Sequence, residues 1–505
     1  MHKTPTIYIF VEISNHDLMK KLFITIGLAL LLASPSADAA KNPKREFRGA
    51  WMHTVFQDQY HSQTTEQNKQ YLRDQLDKLK AAGVNAVIFQ VRPQADAFYP
   101  SELEPWSRYL TDGGKAPVPY WDPLQFMIDE SHARGMELHA WLNPYRVTGS
   151  AKQIPPKGHL YYKEPKRFVK YGGQIYFDPG LPENRKFIND VVLDIVNRYD
   201  VDGIHFDDYF YPYPKEGEAF PDKASFAKYG NGMKIGDWRR KNVDLLIEEI
   251  HDNIAVTKPW VIFGVSPFGI WRNKKSDPRG SETNGLQNYD ALYADVLLWA
   301  EKGWVDYLLP QLYWELEHKA ASYLTLVEWW NNNAGPRHMY IGQDVSKTMK
   351  LPDLAPSPQK SQLDHKIRLT REAENISGNC WWPGYAVTKN FNGVADSLST
   401  NHQSTIALVP TYPWISDKAP AAVKNLKIKG NQLSWSADAA ANKVSDPVKF
   451  VVYRFDSDKI DLDDASAIVA VTRNRNMTVD RDGYYVVTAL DRVNNESAPS
   501  ETVRK

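Results

Sequence analysis

Val201-Asp202-Gly203-Ile204-His205-Phe206-Asp207-Asp208-Tyr209-Phe210 is a short apolar run, entered through a glycine and left through two adjacent carboxylates into an aromatic loop. On a β-strand alternate side chains share a face, so His205 and Asp207 point one way and Ile204, Phe206 and Asp208 the other. In a closed parallel barrel the inward face carries the polar tip and the outward face packs on helices. That puts Asp207 at the barrel mouth and Asp208 at the rim just beyond it. A carboxylate there has a chemical use: an oxocarbenium-like transition state needs negative charge close by, and a second carboxyl must protonate the leaving oxygen. Taken alone, the same residues also fit an Asp-Asp turn capping the next helix.

On either side of this run one beat repeats, a short apolar strand followed by a helix. Strands are expected at 47–55, 84–92, 136–143, 203–207, 260–266, 305–313, 339–343 and 378–382. Residues 84–92, VNAVIFQVR, are almost continuously apolar, as a strand buried on both faces should be. Helices are expected at 66–82, 183–199, 237–255, 289–302, 319–333 and 359–376, and one opens at Asp122-Pro123 with an N-cap and a proline at its first position. Residues 144–182 read as a long loop. Eight strand–helix units over roughly 350 residues predict an α/β fold, a (β/α)8 TIM barrel with enlarged loops. A doubly wound sheet would carry a phosphate-binding glycine loop, and neither GxGxxG nor GxxxxGK occurs.

After Trp414 the rhythm changes to short alternating strands at 424–429, 432–435, 450–455, 467–472 and 484–491. The expected organisation is an N-terminal extension and signal peptide at 1–40, the barrel at 44–415, and an all-β sandwich at 419–505. Met19-Lys20-Lys21 supplies a basic start, residues 22–32 an apolar run, and Ala37-Asp38-Ala39 a small-x-small cleavage site, with Met19 as the expected initiator. The run is too short to span a membrane. The sole cysteine, Cys380, rules out an internal disulfide and a lipid-acceptor cysteine after the signal. A periplasmic or secreted protein is expected.

Composition narrows the partner. The 61 basic and 61 acidic residues balance, which argues against nucleic acid or an anionic membrane surface. The 16 Trp, 27 Tyr and 19 Phe often stand next to polar residues. Core packing accounts for most of them, but flat aromatic faces also stack on pyranose rings, so a polysaccharide substrate is the expected partner. No HExxH, cysteine cluster or histidine pair at ligand spacing occurs, so no cofactor and no metal is expected. GxSxG is absent as well.

In such barrels the active site lies at the C-terminal ends of the strands. Reading those ends gives His53, Gln90, Arg92, Asn143, Tyr145, His205, Tyr209, Gln311, Tyr313, Trp314, Asp344 and Trp381 as candidate substrate-binding residues, with Trp382 at the same strand end as Trp381. Asp207, Asp208 and Glu315 are the candidate catalytic carboxylates. Glu315 enters because residues 307, 309, 311, 313 and 315 share a face if the sixth strand stays extended. Asp344 and Asp96 are reserves. Arg92 and His205 are expected either to hold a carboxylate by charge-assisted hydrogen bonds or to make ordinary structural bonds inside the barrel.

Several stretches resemble a known family. Arg48-Gly49-Ala50-Trp51, Phe89-Gln90-Val91-Arg92-Pro93, Asp96-Ala97-Phe98-Tyr99, Pro105-Trp106-Ser107, His139-Ala140-Trp141-Leu142-Asn143-Pro144-Tyr145-Arg146 and the run from Asp202 to Pro212 are similar to the glycosyl hydrolase-like 10 family. So are Ser266-Pro267-Phe268-Gly269-Ile270-Trp271 and Pro310-Gln311-Leu312-Tyr313-Trp314. The likeness covers about residues 44–400. It implies cleavage of peptidoglycan glycan strands, preferably ones stripped of stem peptides. The Asp-Gly-x-x-x-Asp phrase ending at Asp207 is also similar to the fourth-strand nucleophile motif of α-amylase-like barrels, which carry their acid/base on the fifth strand. Here that strand ends in Ser266-Pro267, so the partner must come from elsewhere. Leu433-Ser434-Trp435, Val452-Tyr453-Arg454 and the strand from Tyr484 to Asp491 resemble a fibronectin type III sandwich, and that resemblance implies a spacer or a docking surface for envelope or division proteins. The competing expectations are a glycan-binding envelope adaptor that does not cut, and a hydrolase of another exported amino-sugar polymer.

Overall fold

The computed structural model describes residues 42–352, 361–438 and 441–505; the expected signal segment lies outside them. The first three strands, β1 (Phe47–Met52), β2 (Ala86–Arg92) and β3 (Glu137–Leu142), alternate with helices Thr65–Ala81 and Pro123–Ala133. Local chemistry starts these helices. Thr64 and Gln67 form a reciprocal capping box, and the Asp122 carboxylate accepts from the Gln125 N–H at 3.1 Å ahead of Pro123. The long loop after β3 folds into a small antiparallel hairpin, β4 (Phe168–Tyr171) and β5 (Gln174–Phe177). Then follow β6 (Gly203–Phe206), β7 (Ile262–Val265), β8 (Tyr307–Leu308), β9 (His338–Asp344) and β10 (Ile376–Trp382). Eight of these strands close a parallel barrel in the order β1-β10-β9-β8-β7-β6-β3-β2, as the sequence rhythm predicts.

Two elements depart from that reading. The sixth barrel strand is two residues long, not nine. Pro310 has no N–H to give to a ladder, and the chain regains only single bridges, from Gln311 to Phe268 and Gly342. The helix expected at 289–302 is split: Tyr293 adopts a left-handed backbone with φ 54°, and only Val296–Lys302 is α-helical.

The barrel interior is layered by strand alternation. On β3 the side chains of Glu137, His139 and Trp141 climb from floor to mouth. On β1 Phe47, Gly49 and Trp51 do the same, and on β6 Gly203 and His205 lead up to Asp207. Every residue of β1, β2, β3, β6 and β7 is buried.

Beyond residue 423 two antiparallel sheets form. One contains β11 (Lys424–Lys429), β12 (Gln432–Ser436) and β15 (Asn476–Thr478); the other contains β13 (Lys449–Phe455), β14 (Ile468–Thr472), β16 (Tyr484–Leu490) and β17 (Val503–Arg504). Leu433, Trp435, Phe450, Val452, Tyr485 and Val487 make a core common to both sheets. The opposite face of the four-stranded sheet, through Val451, Tyr453, Val486 and Leu490, packs on Leu408. This part is tied to the end of the barrel away from the mouth. Lys449 and Asn494 donate to Glu137 at 2.8 and 3.0 Å, and Arg473 donates to Asp202 at 3.1 Å. Gly135, at φ 67°, passes so close to Val471 that an added Cβ would lie 2.2 Å from its carbonyl oxygen. Barrel and sheets belong to one compact unit.

Candidate active site

Immediately beyond β6 the chain presents Asp207 and Asp208, both almost fully buried at 4% and 2% exposure. Their surroundings differ. Asp207 accepts from the indole N–H of Trp141 at 3.0 Å, from the Asn143 amide at 3.2 Å to each oxygen, and from the Tyr209 N–H at 3.4 Å. Burial raises its pKa, and Arg146, Trp141 and Asn143 pull against that rise. Asp208 accepts from the Tyr213 hydroxyl and from the Gln311 amide at 3.2 Å. Burial, and next the charge of Asp207, push it up to about 6. Both carboxyls are raised by burial, and Asp208 carries the added push of its neighbour's charge; like-charged neighbours in unlike surroundings can divide the roles of acid and ionised partner. Alternation had turned Asp208 outward; the chain has left the strand by then, and both carboxyls belong to the mouth.

Around the pair stand Trp141, Trp51 and Trp382, whose rings meet edge to face at 6.2–6.3 Å. His53 lies against Trp382 and Tyr385, with ring centroids 4.9 and 5.7 Å away. It bonds Gln57 at 2.6 Å, and burial lowers its pKa to about 4, so it is neutral at physiological pH. Tyr209 carries the Arg146 guanidinium 4.8 Å over its ring and meets Tyr213 at 5.6 Å. Tyr313 lies within electrostatic reach of Asp208, Asp344 and Tyr209. Trp314 packs its ring on Phe268 at 5.4 Å. Asp344 caps the short helix Val345–Thr348 by accepting from the Lys347 N–H at 2.8 Å.

Other candidates are elsewhere. Arg92 does not hold a mouth carboxylate: its guanidinium pairs with Glu104 at 2.6 and 2.5 Å and donates to the backbone of Asn143 and Pro144. It fixes the Asn143 turn from behind. His205 bonds Tyr307 and Trp51 inside the barrel rather than a carboxylate. Gln90 pins the backbone N–H groups of Thr54 and Val55 at 3.0 and 2.9 Å. Tyr145 is fully buried, and the charges that act on its phenol are those of Arg185, Glu249 and Asp178 rather than the pair. Trp381 is also buried, at 1% exposure, so Trp382 takes the place expected for it. Asp96 accepts from the backbone N–H groups of Gln94 and Arg108 and holds its own loop.

The geometric premise for Glu315 fails. The strand ends at Leu308, and the Glu315 carbonyl closes a turn by accepting from the His318 and Tyr323 N–H groups. Its carboxylate acts on the Lys366 ammonium, whereas the strongest charged influence on Asp207 is Arg146 and on Asp208 is Asp207. The residues missed at the mouth, Trp141 and Tyr213, had one readable signal: Trp141 shares the inward face of β3 with His139. Among the described residues, no group of three or more His, Cys, Asp or Glu converges as metal ligands would, and no helix is long and apolar enough to cross a membrane.

The chain is similar to named proteins along most of its length. Glycosyl hydrolase YngK of Bacillus subtilis (strain 168) is 39% identical over 96% of this chain and 98% of its own length. Glycosyl hydrolase DigH of Escherichia coli (strain K12) is 39% identical over 61% of this chain and 74% of its own. The solved PgaB (BpsB) glycoside hydrolase domain from Bordetella bronchiseptica aligns at 13% identity and a TM-score of 0.47, covering 71% of this chain and 99% of that one. The family model described as glycosyl hydrolase-like 10 matches residues 46–357, the span that holds seven of the eight barrel strands and the aspartate pair. With that match and a relative aligned over nearly its entire length, the chain belongs to the glycosyl hydrolase-like 10 family.

Proposed function

We propose that this protein is an exported glycoside hydrolase that cleaves glycan strands of peptidoglycan, with peptide-free strands preferred, through Asp207 and Asp208. One observation carries the reading: adjacent buried carboxyls at the barrel mouth, one held by four donor contacts and the other pushed up to about 6. Asp208, protonated below that value, gives its proton to the leaving oxygen as the C–O bond breaks. Asp207 stays ionised and supplies the negative charge that the anomeric carbon needs as positive charge develops. Water then forms the new C–O bond at the anomeric carbon, and the proton it gives up returns to the Asp208 carboxylate. Trp141, Trp382, Tyr209 and Tyr385 offer flat faces for sugar rings. The C-terminal sheets are proposed as a fibronectin type III-like module.

The assay is release of reducing ends from denuded glycan strands, compared with peptide-bearing strands and other amino-sugar polymers. Equal glycan binding by wild type and Asp207→Asn with no new reducing ends from either would replace hydrolysis by an adaptor role.

The pH profile tests the assignment of the acid. Because only protonated Asp208 donates, kcat/KM falls as pH rises through about 6. The Tyr213 hydroxyl favours the charged form of Asp208. Tyr213→Phe therefore raises the Asp208 pKa and moves the alkaline limb to higher pH, whereas a limb that stays in place assigns the acid to another group.

A further inference from the structure

A column of hydrogen bonds runs down the barrel axis from the mouth to the C-terminal sheets, and its direction can be worked out. The Trp51 indole N–H donates to His205 Nε2 at 3.2 Å. An indole nitrogen only donates, so that ring nitrogen is bare and the His205 proton sits on Nδ1. His205 Nδ1 lies 2.9 Å from the Tyr307 hydroxyl and donates to it. The Tyr307 proton then goes to His139 Nδ1, 3.0 Å away. His139 in turn carries its proton on Nε2, 3.3 Å from Glu137 Oε2. His139, His205 and Tyr307 are fully buried, and Trp51, Glu137 and Lys449 are 3–4% exposed. At the top, the His205 ring meets Trp51 and Trp141 edge-on at 6.1 and 6.3 Å, and Trp141 donates to Asp207. At the bottom, Glu137 receives the Lys449 ammonium from β13.

We propose that Lys449 is a positioning residue for the active site: by holding Glu137 as an acceptor at the barrel floor, it sets the direction of this column and so fixes Trp51 and Trp141 beside Asp207. The groups facing Glu137 are Lys449, His139, Asp202 with its partners His132 and Arg473, and the phenols of Tyr307, Tyr340 and Tyr412. Burial alone would raise the Glu137 pKa; Lys449 and His139 more than reverse this and hold it at about 2. Without Lys449, burial wins and Glu137 takes up a proton. It then donates to His139 Nε2, His139 Nδ1–H donates to Tyr307, and Tyr307 donates to His205 Nδ1. The His205 proton is left on Nε2, facing the Trp51 N–H, donor against donor. A change at the floor thus breaks a bond at the mouth.

The test uses the full chain with 15N-labelled histidine. Long-range 1H–15N spectra should show His205 protonated on Nδ1 and His139 on Nε2, assigned with Tyr307→Phe. Lys449→Met should reverse both tautomers, lowering kcat by about tenfold to a hundredfold with little change in KM, as a misplaced site does. Its activity, taken as a fraction of the wild-type rate at the same pH, should recover as pH rises and Glu137 ionises again. Adding Glu137→Gln to Lys449→Met restores an acceptor for His139. The Asn494 side-chain amide, which donates to Glu137 and accepts from Lys449 in the wild type, turns so that the oxygen freed by the loss of Lys449 accepts from the new Gln amide, and the double variant should return the wild-type tautomers and most of the rate. Lys449→Arg should behave as wild type. The kinetic arm rests on the glycoside hydrolase reading, and the tautomer arm does not. A wild-type His205 protonated on Nε2 overturns the proposal even if Lys449→Met does not fold. Unchanged tautomers and pH profile in Lys449→Met overturn it equally.

Discussion

Asp208→Asn is expected to slow the proposed glycan cleavage severely and to make the protein more stable at neutral pH. The rate should drop by about 10²–10⁴-fold, the usual contribution of a positioned general acid. Asparagine keeps the shape and both contacts: its oxygen accepts from Gln311 and its amide donates to the Tyr213 oxygen, so the mouth stays ordered. The stability gain follows from the sign of the pKa shift. Asp208 titrates at about 6 in the folded chain and at about 3.9 when unfolded. The folded state therefore favours the protonated form, and stability is lost as pH rises from about 4 through about 6. Asparagine carries no charge to bury beside Asp207. Thermal unfolding at pH 7.5 should show a higher midpoint for the variant, and the gap should close near pH 4. A structural role would give the opposite result, lower stability with activity retained in proportion to the folded fraction. A variant that keeps full activity would transfer the acid role to another carboxyl, with Asp344 next in place.

The sequence rhythm was enough for the barrel because a strand buried on both faces, such as Ala86–Arg92, leaves a continuous apolar signature and each helix start is marked locally. Alternation within β6 was enough to bring Asp207 to the mouth. Partners across the barrel were beyond it. Arg92 finds Glu104 in the following loop, and His205 finds Tyr307 across the interior; nothing local distinguishes those bonds from a bond to a catalytic carboxylate. Glu315 reaches the mouth only on an extended sixth strand, and the strand stops at Leu308, ahead of Pro310. Trp381 and Trp382 were interchangeable until the pleat of β10 assigned one to each face. The link from Lys449 to Glu137 spans 312 positions and unites two parts of the chain with different periodicities, so no window of sequence contains it.

Gly264→Ala is expected to be among the most damaging single-methyl changes in the barrel. A Cβ at 264 would sit 1.9 Å from Tyr307 Cζ and 2.2 Å from both of its Cε atoms. Tyr307 has no room to give way, because its ring lies among those of Phe47, His139, His205 and Tyr340 at centroid distances of 6.0, 5.7, 5.9 and 5.2 Å. Overpacking of this kind costs about 3 kcal/mol at its upper end, which should appear as a large fall in the urea midpoint. Second-site changes separate the causes. Tyr307→Phe removes only the hydroxyl and leaves the colliding ring atoms, so it should not relieve Gly264→Ala. Tyr307→Leu removes the ring and should recover part of the stability, but none of the hydrogen bonds that join His205 to His139. If the mouth depends on that column, the Gly264→Ala, Tyr307→Leu double variant folds yet remains slow. If the rate returns with the fold, the aspartate pair is positioned by the strands alone.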